Sequence, residues 1–163
     1  MAAAQGTMNN LSFGTPRFQY YETIAGGSGA GDGFAGACGL QCHMTNSRLT
    51  DPEILEQRFP VRLERFARRR GSGGSGRWPG GDGLERHFRF LEPMTVGLLS
   101  GSRRVAPFGL AGGGAGCCGT NQLERVDGSV EELPGCVQLE LRAGEGLIIA
   151  TPGGGGWGES GEE

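Results

Sequence analysis

Lysine is absent from this chain, and all 15 of its basic residues are arginine. That removes a Schiff-base amine and the lysine of a P-loop from the available chemistry. A composition rich in glycine, alanine and arginine accounts for the choice of cation. Histidine is scarce, with His43 and His87 alone, and there are only two tryptophans and two tyrosines. Long apolar runs are missing as well. The longest, Leu147-Ile148-Ile149-Ala150, is far too short to cross a bilayer. Met1 to Gln5 has neither a basic stretch nor an apolar segment of the kind a secretory signal needs. Motifs are missing too: there is no G-x-S-x-G and no H-E-x-x-H. Positive charge is not in excess, because the formal net charge is −3, which argues against a nucleic-acid module.

What the chain has in abundance is glycine. Its 34 glycines and 8 prolines make up about a quarter of 163 residues, roughly twice the usual share. The glycines come in clusters separated by short apolar runs, so the expectation is a turn-rich folded protein rather than a disordered one. The length suits a single domain, taken here as residues 1–158 followed by an acidic tail at 159–163. Five cysteines in no regular framework suit a reduced, cytoplasmic chain. Cys38-x-x-x-Cys42-His43 has a superficial ligand spacing, but the vicinal pair Cys117-Cys118 is awkward for completing a zinc site, and no metal is expected.

The fold class expected from the pattern is mainly β, within α+β, with glycine-rich loops and one short helix near 51–58. Residues Arg17 to Ala25 alternate, placing Phe18, Tyr20, Glu22 and Ile24 on one face of a strand. Glu22 on that apolar face must be paired, hydrogen-bonded or protonated. Gly26 to Gly39 is too glycine-rich for a helix or central strand. Its Gly31-x-Gly33-x-x-Gly36 spacing lacks the helix that a dinucleotide site requires. Thr50-Asp51-Pro52-Glu53 reads as a capping box with Thr50 as N-cap, and Pro60 ends the helix. From Val61 to Arg70 the pattern suggests an arginine-lined strand leading into a loop.

The C-terminal half reads as strands and hairpins. Leu84, Arg86, Phe88 and Phe90 alternate with Glu85, His87 and Arg89, so His87 is expected on the surface. Met94 to Leu98 and Val137 to Leu141 continue the alternation. Asp127-Gly128 between Val126 and Val130 marks a hairpin turn. Leu147 to Thr151 is a short apolar strand, and Trp157 is the last apolar anchor. Candidate site residues fall between Tyr20 and Asp51. His43, Asn46 and Arg48 bring an imidazole, an amide and a guanidinium close to a helix start, a set able to hold a carboxylate or a polarised carbonyl.

Several stretches carry a family resemblance. They are Gln5 to Asn10, Tyr20 to Gly31, His43 to Glu53, Arg69 to Gly74, Gly80 to Gly83 and Thr151 to Gly156. In this order the chain resembles the hydantoinase B / ATP-dependent 5-oxoprolinase family, as the C-terminal part of its B-type subunit or of the fused single-chain oxoprolinase. The resemblance implies ATP-driven hydrolysis of a cyclic amide, 5-oxoproline or a hydantoin. It implies ATP and Mg on an A-type subunit or domain with an actin-like fold, and none bound by this chain itself. That A-type partner, a homo-oligomeric complete enzyme, and no nucleic-acid or membrane partner are the associations it implies. The A-type half and the front of the B-type half are expected to lie outside this chain, which would be inactive alone or serve as an assembly module. Glu22 and His43 are then the candidates for proton handling, and Asn46, Arg48, Gly27 and Gly29 for binding substrate.

Overall fold

The computed structural model describes residues 1–6 and 8–160. Nine strands and one helix follow in order: β1 (Asn9–Thr15), β2 (Phe18–Thr23), α1 (Pro52–Arg58), β3 (Val61–Arg69), β4 (Gly83–Phe90), β5 (Met94–Ser100), β6 (Thr120–Glu124), β7 (Val130–Leu133), β8 (Cys136–Leu141) and β9 (Gly146–Ala150). They form two antiparallel sheets. One has the order β2-β1-β5-β8 and the other β3-β4-β9-β6-β7. The mainly-β expectation therefore holds, and so do the single short helix and the Asp127-Gly128 turn between β6 and β7.

The sheets face each other across one core. Leu11 and Phe13 of β1 and Val96 and Leu98 of β5 project from one side. Phe88 and Phe90 of β4 and Leu147 and Ile149 of β9 meet them from the other. Phe13 is the central contact, edge-on to Phe90 at 5.7 Å and to Phe88 at 6.2 Å between ring centres. Such edge-to-face pairs add to the burial that joins the layers. The alternation of β4 and β5 is what makes this possible, since each strand turns one apolar face inward.

The structure departs from the sequence pattern at two places. The helix is capped by Asp51 rather than Thr50: the Asp51 carboxylate accepts from the Glu53 amide at 3.0 Å, so the helix begins one residue later. Its one buried residue, Leu55, anchors it to the core. The first strand, Asn9–Thr15, had no place in the sequence reading, yet it is central, pairing with β2 and β5. Its second half, Ser12-Phe13-Gly14-Thr15, carries a glycine and lacks the apolar run that marks a strand.

The glycine-rich segments form a structure of their own beside the sandwich. Pro152–Gly158 runs through its middle. Four successive amides, of Gly153, Gly154, Gly155 and Gly156, donate to the carbonyls of Cys117, Gly81, Ala3 and Gly114. A strand alternates between two neighbours, whereas the amides and carbonyls of this segment bond to four stretches of chain: Ala3, residues 27–30, residues 74–81 and residues 110–117. The arrangement has the logic of extended glycine-rich helices, in which side chains are excluded at the contact. A Cβ at Gly154 would strike the backbone of Ser28, and one at Gly155 the backbone of Phe108. Trp157 closes the bundle by pairing with Trp78 and bridging to Leu110, consistent with its reading as an anchor. Of the acidic tail at 159–163, residues 161–163 lie outside the described residues.

Candidate functional site

Glu22 follows from the alternation of β2, which turns it toward the core. It is 5% exposed and meets Arg86 of β4, which is fully buried. Arg86 Nη2 donates to Glu22 Oε2 at 3.0 Å, and Nε lies 2.9 Å from Oε1. Tyr20 donates its hydroxyl to the same carboxylate at 2.8 Å. Burial pushes the Glu22 carboxyl above its ordinary range, against the pull of Arg86. Tyr20 is pushed up to about 12 by burial and by the Glu22 charge, so it remains a donor. The Arg86 guanidinium lies between the rings of Phe66 and Phe88, 4.7 and 5.0 Å from their centres. This is an enclosed ion pair that ties the two sheets together. Its arginine was legible in the sequence as the one charge on the apolar face of Leu84, Phe88 and Phe90.

The loop after β2 carries the other candidates. Gly27 and Gly29 are buried in the glycine bundle. The Gly27 amide donates to Pro152, and its carbonyl accepts from Gln5. A side chain at Gly27 would meet Gly81, and one at Gly29 would meet Ala2. Their close approach is to this chain's own backbone. The Gly31-to-Phe34 stretch is a tight turn in which the two residues exchange backbone hydrogen bonds, with no helix behind it.

His43 lines a cavity of about 440 Å³ together with Gly29, Ser28, Phe34, Leu40 and Cys42. Its φ of 59° is in the left-handed region, which costs a non-glycine residue about 1–2 kcal/mol. The turn that holds it there is fixed by Thr45, whose amide and hydroxyl both donate to the Cys42 carbonyl. Gln41 fastens the loop to β2 by donating to Thr23 O at 2.7 Å. Burial pushes the Cys42 thiol up, which disfavours a thiolate there. Asn46 and Arg48 are exposed further along the same loop, outside the lining of this cavity. The structure therefore brings His43, itself exposed, and Gly29 to one cavity, leaves Asn46 and Arg48 exposed outside it, and encloses Glu22 in the sandwich.

His87 is on the outer face of β4, as its alternation requires, but it is largely covered. Its Nε2 lies 3.1 Å from Glu124 and 3.3 Å from Glu64. A bulge in β3 between Leu63 and Arg65 re-aims Glu64 toward this cluster. The ligand atoms of these three side chains lie within 4.8 Å of one another. Arg89 already occupies the position a cation would take, with Nη2 at 2.9 Å from Glu64 and 2.6 Å from Glu124. The geometry is that of an ion-pair network. The cysteines are all free thiols, and Cys38 accepts from the Asp82 amide at 3.1 Å.

The arginines of β3 take varied partners. Arg65 pairs with Glu85 at 2.6 Å and Arg68 approaches Asp82 at 3.5 Å, while Arg69 donates to the carbonyls of Cys118 and Thr151. Among the described residues no helix is long and apolar enough to cross a membrane.

The two-sheet fold with its glycine bundle is shared with ATP-dependent enzymes of known structure. The caprolactamase of Pseudomonas jessenii superimposes with a TM-score of 0.78 at 26% identity, over 97% of this chain and 30% of that one. A nucleotide-free acetone carboxylase gives a TM-score of 0.76 at 16% identity, over 96% of this chain and 26% of the other, which speaks to fold alone. The sequence narrows this further. Residues 1–160 match the Hydantoinase B/oxoprolinase family, and the chain belongs to it. It is 52% identical over 159 residues to 5-oxoprolinase 1 of Arabidopsis thaliana and 46% identical over 158 residues to the 5-oxoprolinase of Dictyostelium discoideum. These alignments cover 98% and 97% of this chain but only 13% and 12% of the relatives, so the chain spans about an eighth of their length.

Proposed function

We propose that this chain is part of an ATP-dependent cyclic-amide hydrolase, with 5-oxoproline or a hydantoin as substrate. The observation that carries the reading is the match along nearly the whole chain to proteins named 5-oxoprolinases, at 52% and 46% identity. The likeness to a caprolactamase, whose name denotes another cyclic amide, supports the same substrate class. ATP and Mg would be held by an A-type subunit or domain and would activate the amide carbonyl toward water. This chain binds neither and works in a homo-oligomeric complete enzyme in the cytoplasm.

In this reading His43 handles a proton at the ring or at the attacking water, and its left-handed turn holds the imidazole at the cavity. Asn46 donates to a substrate carbonyl, and Arg48 holds a carboxylate or phosphate from the exposed side of the loop. Glu22 acts from behind by fixing β2 through Arg86. Gly27 and Gly29 set the position of the cavity wall.

The test uses a full-length relative altered at the positions matching His43 and Arg48. His43→Ala is expected to lower kcat by roughly 10²-fold or more with the fold intact, and Arg48→Ala to raise KM for the cyclic amide. Unchanged turnover in both would defeat the assignment. A second reading, an assembly module without chemistry, draws on the apolar side chains at the same loops: Met44 is 92% exposed, and Phe34 and Leu40 are each 48% exposed. Loss of the oligomer with intact chemistry in Met44→Ser and Phe34→Ser would favour it.

A further inference from the structure

A second cavity, of about 670 Å³, lies where the loop after β5 passes the turn between β7 and β8. Arg103 and Arg104 line it with Val105, Phe108 and Pro134, and none of its lining residues is acidic. The loop is bent into place at Ser102, whose φ is 52° and whose hydroxyl donates to the Gln5 carbonyl at 3.0 Å. Arg103 is half-buried, and its hydrogen bonds all go to neutral acceptors: Asn9 Oδ1, Asn121 Oδ1 and the Gly101 carbonyl. Arg69, whose charge acts on Arg103, is likewise bonded only to carbonyls.

Among the described residues, Arg69, Arg103 and Arg104 form no ion pair with a carboxylate. Burial and the charge of Arg69 bring Arg103 down to about 10, so the site already bears the cost of uncompensated positive charge. An anion would offset that cost. The apolar wall of Val105, 77% exposed, and Phe108, 58% exposed, would cover a small hydrocarbon body.

We infer that this cavity binds a small organic anion, a carboxylate or phosphate head on a short apolar body, with its charge at Arg103 and Arg104 and its apolar part against Val105 and Phe108. The inference is independent of the hydrolase reading, because it requires neither ATP nor turnover. Inorganic phosphate, acetate and hexanoate are titrated calorimetrically into the full 163-residue chain at constant ionic strength. Saturable binding of phosphate or of hexanoate is expected, and the tighter head group identifies the source. If the head is a carboxylate, hexanoate should exceed acetate by at least about fivefold, from its buried methylenes. Arg104→Gln should weaken binding by roughly tenfold, as loss of a charge-assisted contact requires. Its melting temperature without anion should be unchanged, since Arg104 is exposed. Val105→Ser should reduce hexanoate binding and leave phosphate binding intact. No saturable binding of phosphate or hexanoate, or equal affinity in Arg104→Gln, overturns the proposal.

Discussion

Arg86 and Glu22 show how a single pair of charges can be worth more broken than made. Both are sealed between the sheets, where the attraction of the ions is largely offset by the water they lose. Removing one partner strands the other. Arg86→Met is therefore expected to destabilise the chain by about 3–5 kcal/mol, read from urea denaturation. Glu22→Leu combined with Arg86→Met should recover most of that loss. A double variant no more stable than the single one would show that the arginine acts through its stacking on Phe66 and Phe88 instead. Glu64 illustrates a different balance at the surface. Its hydrogen bond to Arg89 holds its carboxyl below the ordinary 4.5. A carboxyl lowered by folding contributes stability that is fully present above that ordinary value and is lost as pH falls through the lowered one. Acid titration of stability should thus show a decline below about pH 4.5 that is shallower in Arg89→Gln. An unchanged slope would remove Arg89 as the cause.

At the scale of elements, the glycine bundle behaves differently from the glycine turns. Gly154 has backbone on the side where a Cβ would stand, and backbone cannot rotate away as a side chain can. Gly154→Ala is expected to cost at least about 3 kcal/mol, the upper part of the range for overpacking. Gly128 of the β6–β7 turn, with φ of 83° and open space around it, should cost about 1–2 kcal/mol as alanine, from backbone strain alone. Thermal or denaturant unfolding of the two variants distinguishes these origins, and equal losses would argue against steric exclusion within the bundle. The helix is a smaller matter. Asp51 caps it while Leu55 ties it to the core, so its stability depends on tertiary packing more than on its seven residues.

For the whole molecule, the sandwich and the bundle join where Thr151 leaves β9. Its hydroxyl donates to Ala25 O at 2.8 Å and accepts from the Leu84 amide at 2.7 Å, linking both parts at one residue. Apolar side chains remain exposed around the His43 cavity, in keeping with a chain that spans about an eighth of its relatives' length. The isolated chain is expected to show no 5-oxoproline-dependent ATP hydrolysis in a coupled assay. Adding an A-type subunit should be necessary for any activity, and clear turnover by the chain alone would refute that division of labour.

Much of the architecture was written in local patterns. Period-two alternation in β2, β4, β5 and β8 determined their inward faces, and Asp127-Gly128 determined a turn, because these depend on neighbours in the chain. The resemblance of its glycine motifs likewise determined the family. The sequence did not determine which strands share a sheet: β8 and β9 are consecutive yet belong to opposite layers. It put Glu22 on an apolar face, but only the packed sheets made Arg86, 64 residues away, its partner. His43, Asn46 and Arg48 looked like one cluster by spacing. Of the three, the tertiary structure places only His43 in the lining of a cavity, at a left-handed turn that spacing does not encode. The glycines announced close approach. What they approach, four other stretches of the same chain, was decided by contacts distant in sequence.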